Sequence, residues 1–320
     1  MVSIIMPMYN VEAYVDEAIR SILNQTWQDL ELIIVNDGSS DLSLSIAESA
    51  CRGDPRARIV SQANAGLADA RNRGLKEASG SYIYLFDSDD ILQPDALHTC
   101  LTLALDMGLD LVAFGGEAFI DGSSLAQVVP DLRKPDWVLP QTGQKILTEL
   151  CLIKSFSVSC CLYLFSRRLI ENPPLRFDVG FIHEDEAFTT LLYCNARRAI
   201  TLSNPFFRRR IRTNSIMTSR RSFTNAAGCI QAMQRIAGAE LTYSELDSAC
   251  LNVLRGRQRS LLRQSVIDAF SCRMIMPLIH MLSSKFSLLS LLRIDPLIGP
   301  FAAWQLFRSA LLRSCYQNRA

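Results

Sequence analysis

The chain has 320 residues, 49% hydrophobic and 20% charged, a composition that can bury one large core or two smaller ones and that excludes a disordered chain. Its net charge of +1 conceals a split: residues 201–320 carry 17 Lys and Arg against 5 Asp and Glu, leaving 16 against 27 for the first 200 residues. That asymmetry predicts an acidic catalytic or binding part joined to a basic part that meets an anionic surface.

Short apolar runs alternate with helical patterns from the start, as a βαβ series requires. "VSIIMPMYN" is a strand, Val11 to Asn24 a helix with Val11, Tyr14, Val15, Ala18, Ile19, Ile22 and Leu23 on one face, and "LELIIVNDGSS" a strand ending in an Asp-Gly-Ser turn. Leu42 to Ala50 is the second helix, "ARIVSQA" the third strand, Gly66 to Ala78 the third helix and "YIYLF" the fourth strand. A helix from Pro94 to about Asp106, a strand "LDLVAFGG", a hairpin around Asp121 and Gly122, a Pro-bearing loop to Pro140 and a helix from Thr142 to Lys154 follow. "VSCCLYLFSRRLI" is small and apolar, "RFDVGFIHEDEAFTTLLYCNA" a loop opening into a helix, and "AITLSNPFFRRRIRTNSIMTS" a strand, a turn and a second strand. The domain boundary is placed near Ser219, with residues 1–219 as the catalytic domain. Beyond it, 222–238 and 241–294 are helical by pattern, broken at Pro277. Strands joined through helices build a parallel sheet, whose ligand sites lie at the carboxyl ends of the strands.

The start of the chain shows no charged, cleavable leader, and its ten Cys lack C-x-x-C spacing, so a cytoplasmic, reducing setting with thiols packed as small hydrophobes is expected. The longest uncharged apolar run of the tail, Pro296 to Phe307, falls short of the ~18 residues that cross a bilayer.

Four stretches carry chemistry. Asp87, Asp89 and Asp90 end the fourth strand; carboxylates this close raise one another's pKa unless a cation offsets them, and oxygen-only ligands suit Mg²⁺ or Mn²⁺. The alternative is that Asp89 and Asp90 cap the next helix. "VNDGSSD" offers Asp37 to a base or ribose, or is an Asx-turn starting a helix. "NAGLADARNRG" sets Arg71 and Arg73 near phosphate or in solvent, and is not a G-x-G-x-x-G loop. "HEDEAF" places three acids at a helix start, either to take a proton from an attacking hydroxyl or to cap the helix. The three His (98, 183 and 280) are far apart and make no metal-ligand pattern.

In their order and spacing after "VSIIMPMYN", the segments "SILNQTWQDLELIIVNDGSSD", "NAGLADARNRG", "YLFDSDD", "GFIHEDEAFT" and "SIMTS" resemble the nucleotide-sugar transferases of glycosyltransferase family 2, in particular bacterial members that build capsular and exopolysaccharide chains. The resemblance spans roughly Val2 to Ser219. It implies an α/β, Rossmann-like A-type glycosyltransferase fold with a mostly parallel central sheet, followed by a C-terminal α-helical region. It implies that Pro7 and Tyr9 line the nucleotide pocket, that Asp37 bonds the base, usually uracil, and that Arg71 lies beside the nucleotide. Asp87 and Asp89 match the family's D-x-D, Asp87 facing ribose and diphosphate and Asp89 ligating Mn²⁺ or Mg²⁺; Asp90 is left as a helix cap. Asp185 is the implied base for the acceptor hydroxyl, with Glu184 second. Arginines 208, 209, 210 and 212 fall where a role at the diphosphate or acceptor is open.

The implied reaction is a single inverting displacement from a nucleotide-sugar donor, such as a UDP-sugar, onto a saccharide or lipid-linked saccharide acceptor. The Q-x-x-R-W of processive members is absent, because "RGRQRSLLRQ" has no matching Trp; one sugar per visit is expected. A catalytically inactive nucleotide-binding relative is the alternative. A dehydrogenase would need a glycine-rich turn after the first strand, where "PMYNVE" has none, and no nucleic-acid-binding motif accompanies the basic tail. The tail's "FSLLSLLR" and "WQLFRSALLR" suit a helix on an anionic membrane surface or a subunit contact in a homo-oligomer.

Overall fold

The computed structural model describes residues 1–121, 129–212, 222–243 and 245–285. Two compact units emerge: Met1–Gly180, Glu184–Ser219 and Thr242–Cys250 form the first, and Phe181–His183, Arg220–Leu241 and Leu251–Ala320 the second. The expected hairpin at Asp121-Gly122 and the two apolar, arginine-bearing tail segments fall wholly or partly outside the described residues.

The first unit is built on one nine-stranded sheet. β1 (Val2–Met8), β2 (Leu30–Asn36), β3 (Ala57–Ser61) and β4 (Tyr82–Leu85) are the four strands read from the sequence. β5 (Ile91–Leu92), β6 (Leu111–Ile120), β7 (Trp137–Gln141), β8 (Tyr163–Ser166) and β9 (Ala199–Ile211) complete the order β3-β2-β1-β4-β8-β6-β9-β5, with β7 paired to β9. The long ladders β1·β2, β2·β3 and β6·β9 are parallel, as is β1·β4, while β8 runs antiparallel to both β4 and β6. Every residue of β1 is buried, which explains its apolar run, interrupted only by Ser3, whose hydroxyl donates to Glu31 Oε1 at 2.6 Å.

Successive strands run from β1 outward to β2 and β3, then return across β1 to β4. The order of the parallel sheet therefore reverses between β1 and β4. Crevices at such a reversal, outside the carboxyl ends of the strands, are where α/β sheets bind ligands. The chain leaves β1 at Tyr9 and β4 at Phe86 and Asp87, so the acid cluster stands at this position.

α1 (Val15–Leu23) is shorter than the pattern predicts. Val11 N–H donates to Ser43 Oγ at 2.8 Å and Glu12 N–H to an Asp41 carboxylate oxygen at 3.1 Å, holding these residues in a turn before the helix starts. α2 (Ser43–Ala50) and α3 (Leu67–Glu77) follow, and α3 packs on β1 through Gly74, where a Cβ would stand 2.2 Å from Ile5 Cγ2. α4 (Ala96–Met107), α5 (Gly143–Leu152), capped by Thr142 Oγ1, and α6 (Glu184–Asn195) complete the helices of the unit.

One expectation is corrected and one unassigned segment gains a place. "AITLSNPFFRRRI" is one strand: the irregularity at Asn204-Pro205 is absorbed by register shifts beside Gly115 and Gly116, where an added Cβ would meet Ser203 O and Phe207 O at 2.8 Å. "VSCCLYLFSRRLI" supplies β8 between two 3₁₀ turns, Cys160–Leu162 and Arg167–Ile170, and this strand is inserted between β4 and β6.

In the second unit, α7 (Phe223–Ala237) starts in a capping box formed by Ser222 and Asn225. After the short α8 (Ala239–Thr242), α9 (Ser248–Ser271) enters the unit from residue 251, and α10 (Ile275–Lys285) follows. The helix break lies at 272–274, where Arg273 has φ 59°, and not at Pro277. Pro277 sits in the first turn of α10, where its missing N–H has no helical partner to lose. Among the described residues no helix is long and apolar enough to cross a membrane.

Candidate active site

Arg71 organises the site. It projects from the buried face of α3, with its side chain 4% exposed, and its guanidinium forks between two acids from distant parts of the chain. One nitrogen donates to Asp87 Oδ1 at 2.8 Å and the other to Glu184 Oε1 at 2.7 Å. Phe177 lies under the guanidinium at 5.3 Å and stacks on Phe188 of α6 at 4.0 Å. Asn72, the next residue, makes reciprocal 2.9 Å bonds with the backbone N–H and C=O of Phe177, fixing that loop on α3.

This fork separates the two candidate bases. Glu184 is committed to Arg71, whereas Asp185 has no hydrogen-bond partner among the described residues. Burial, with Glu184 and Glu186 on either side, pushes the Asp185 carboxyl well above the usual range, against a weaker opposing pull from Arg71 and Arg209. All three acids lie in the first turn of α6, where the helix dipole favours negative charge.

The acids after β4 differ in state. Burial would raise Asp87, but Arg71, Arg209 and the Cys161 thiol hold its carboxyl below the ordinary value. Burial and the charge of Asp87 raise Asp89, opposed by Arg212, whose Nε donates to Asp89 Oδ2 at 2.8 Å. Asp90, 3% exposed, is pushed well up by burial and by both neighbouring acids. Its Oδ1 accepts the Arg210 N–H at 2.7 Å. Asp90 is therefore no helix cap: it precedes β5 and holds that turn to β9, while Asp95 stands at the N-cap of α4.

The run of arginines in β9 is the counter-charge to this cluster. Arg210 donates to Asp89 O at 2.9 Å, pairs with Glu17, and stacks over Tyr14 and Phe119 at 4.9 and 4.7 Å. Arg212 joins Tyr14 to Asp89, and Arg208 pairs with Glu117 at 2.8 Å. The Arg71 fork and the Asp90 anchor were missed from the sequence. One signal for the former was available: an arginine three residues before Gly74 on the face that carries Ala68 and Leu75 marks a charge taken into the core.

At the ends of β1 and β2, Pro7 is buried beside Val35, and Tyr9 is 49% exposed. Asp37, 3% exposed, accepts from Gln62 Nε2 and Ala65 N–H, both at 2.9 Å, and from Gly66 N–H at 2.8 Å. Its carboxylate thus pins the loop that starts α3. Gly38 next to it has φ +73°, and a Cβ there would stand 2.8 Å from Asn64 N. Tyr9, Pro7 and Asp37 line the β1–β2 ends of the sheet, while Arg71, Asp87, Glu184 and Asp185 gather beyond β4.

The donor set beyond β4 fits a hard divalent ion: Asp87, Asp89 and Asp90 offer only oxygen, and the burial and mutual repulsion that raise the Asp89 and Asp90 carboxyls are what a cation would offset.

The chain is 35% identical over 217 residues to the uncharacterized glycosyltransferase EpsJ of Bacillus subtilis, covering 68% of this chain and 62% of EpsJ. It is 32% identical over 206 residues to the uncharacterized glycosyltransferase YibD of Escherichia coli, covering 62% and 57%. The matches thus span under two thirds of these relatives' own length. Among solved structures, Staphylococcus aureus TarS 1-349 in complex with UDP-GlcNAc matches with a TM-score of 0.63 at 21% identity, over 92% of this chain and 78% of that one. The mannosyltransferase PcManGT of Pyrobaculum calidifontis, in complex with GDP-Man and Mn²⁺, matches with a TM-score of 0.56 at 17% identity, over 99% and 86%. At these identities the two structures establish a shared fold, the α/β glycosyltransferase sheet with C-terminal helices. The model of the family described as "Glycosyl transferase family 2" matches residues 3–172, the stretch holding β1 to β4, the Arg71 helix and the acids at 87–90, and the chain belongs to that family.

Proposed function

We propose that this protein transfers a sugar from a nucleotide-sugar donor to a saccharide or lipid-linked saccharide acceptor, with inversion at the anomeric carbon and one sugar per visit, in the making of a surface polysaccharide. The observation that carries this reading is the Arg71 fork. It ties Asp87, on the donor side, to Glu184, and leaves the adjacent Asp185 with a raised carboxyl and no hydrogen-bond partner among the described residues. A carboxylate with a raised pKa is, in its ionised form, a better proton acceptor than an ordinary one. Asp185 then takes the proton of the attacking hydroxyl.

Pro7 and Tyr9 form the wall of the nucleotide site, and Asp37 holds the loop before α3 and offers its remaining acceptor capacity to the base. Arg71 keeps Asp87 ionised, so that Asp87 meets the ribose and diphosphate side of the donor. Asp89 is the metal ligand. When bound, Mn²⁺ or Mg²⁺ neutralises the charge that builds on the departing diphosphate. Arg209 and Arg212 add fixed positive charge around the same acids. The UDP-GlcNAc bound by TarS and the GDP-Man and Mn²⁺ bound by PcManGT support a UDP- or GDP-sugar as donor. The catalytic part is assigned to residues 1–219, working in the cytoplasm, and the basic residues 220–320 to contact with an anionic membrane surface or with a second subunit.

A panel of UDP-, GDP- and dTDP-sugars, titrated with and without Mn²⁺, tests the reading. Metal-dependent binding of at least one donor, reduced tenfold or more in Asp89→Ala, is expected. Binding that ignores both the metal and the substitution would overturn it.

A further inference from the structure

The second unit holds a cluster that the transfer reaction does not use. His183, Cys229 of α7 and Asp268 of α9 bring one imidazole nitrogen, one sulfur and one carboxylate oxygen to within 4.8 Å of one another. We propose that these three side chains bind one divalent cation of the zinc class. Such a site is separate from the all-oxygen cluster at Asp87 to Asp90 in both chemistry and ligands.

Donor chemistry selects the ion. A thiolate with an imidazole and a carboxylate is a set that Zn²⁺ takes with three protein ligands and one further position, and that Mg²⁺ does not. Cys229 and Asp268 are each 1% exposed, so charge balance matters more here than at the surface. One Zn²⁺ with a thiolate and a carboxylate is neutral, and neutrality is what a buried site requires. Bonds of about 2.0–2.3 Å at tetrahedral angles put ligand atoms roughly 3.3–3.7 Å apart, so the cluster closes on an ion by a contraction of about 1 Å.

The surrounding residues are arranged to bring the ligands together. His183 adopts φ 69°, an uncommon conformation for any residue but glycine, and its Nε2 is buried without a hydrogen-bond partner among the described residues. Gly228 precedes Cys229, and a Cβ at 228 would stand 1.8 Å from Ile182 O. Glycine at that position is what lets segment 181–183 press against α7 one residue from the thiol. On α9, Gln264 Nε2 donates to Asp268 Oδ1 at 2.9 Å and orients the carboxylate, the outer support that metal-ligating carboxylates commonly have.

The test uses the full chain after dialysis against a chelator. Titration with Co²⁺ is expected to give a thiolate-to-cobalt charge-transfer band in the near ultraviolet at one equivalent. Zn²⁺ is expected to quench the band by displacement and to remain at one per chain after gel filtration. Cys229→Ser should abolish the band, and His183→Gln and Asp268→Asn should each weaken Zn²⁺ binding at least tenfold. Asp89→Ala should leave the band intact, which separates this site from the proposed donor site. If Cys229→Ser fails to fold by circular dichroism, His183→Gln, at a partly exposed position, carries the test through its loss of the Zn²⁺-induced rise in Tm. Absence of a sulfur-to-cobalt band in folded wild type, its persistence in Cys229→Ser, or unchanged Zn²⁺ affinity in His183→Gln would overturn the proposal.

Discussion

Arg71→Ala is the perturbation with the sharpest consequence. Its guanidinium is 4% exposed and satisfies Asp87 and Glu184 at 2.8 and 2.7 Å, with the two side chains 28% and 10% exposed. Removing one partner of a buried ionic network costs about 3–5 kcal/mol, because the remaining charges stay in a poorly solvated place. Asp87 keeps some access to water, which places the expected loss at the lower end, about 3 kcal/mol. For a folded unit of this size, where each kcal/mol moves Tm by about 2–4 °C, the fall is about 6–12 °C. The effect depends on pH. Arg71 holds the Asp87 carboxyl below its ordinary value, so the stabilisation is present above the unfolded pKa of about 3.9 and is lost as pH falls through the folded one. Urea unfolding of wild type and Arg71→Ala at pH 7 and again below pH 4 should show the full gap at the first and a narrowed gap at the second. Arg71→Lys, a point charge that cannot fork, should recover only part of it. A gap under about 1 kcal/mol at pH 7, or one that is the same at both pH values, would refute the reasoning.

Asp185→Asn should lower transfer by about a hundredfold or more while leaving the protein as stable as wild type, or more so, at pH 7. Its folded pKa is raised chiefly by burial, so the carboxyl favours the fold at low pH and loses that contribution as pH rises through the folded value; the amide has no such loss. Full transfer by Asp185→Asn, measured with any donor that binds, removes Asp185 as the base. Gly74→Ala drives a Cβ to 2.2 Å from Ile5 Cγ2 and should cost about 1–3 kcal/mol in urea unfolding, and a neutral result would show that α3 can move off β1 freely. With anionic vesicles at low salt the full chain should pellet through its basic region, with release at high salt as the surface charges are screened; no pelleting in low salt would exclude the membrane contact.

The parallel half of the sheet was legible because β1, β2 and β4 are largely buried apolar runs ending in polar residues, the half-buried β3 carries Ile59 and Val60, and the helices between them have a single apolar face. β5, with two residues, is too short for periodicity to register, β8 lies between two 3₁₀ turns and outside the alternation of strands and helices, and each owes its existence to a partner strand far along the chain. The same cause hid much of the site. Asp87, Asp89 and Asp185 could be named from local motifs, but that Asp90 anchors β9 and that Glu184 belongs to Arg71 are facts about pairs separated by 120 and 113 residues. His183 had no metal-ligand spacing for the same reason, since its neighbours Cys229 and Asp268 come from two later helices.

The Arg71 fork also sets an order in time. Asp87 is only 16 residues from Arg71, but Glu184 is 113 away, so closing the second arm carries the larger loop entropy and waits for α6 to be made. On the ribosome, a nascent chain that has emerged as far as residue 172 contains the whole matched family segment yet has only one anion for the guanidinium. The acids after β4 and the acids that open α6 are thereby joined by a late contact: the Arg71 helix and α6 become a single structure only after the whole matched family segment has been made.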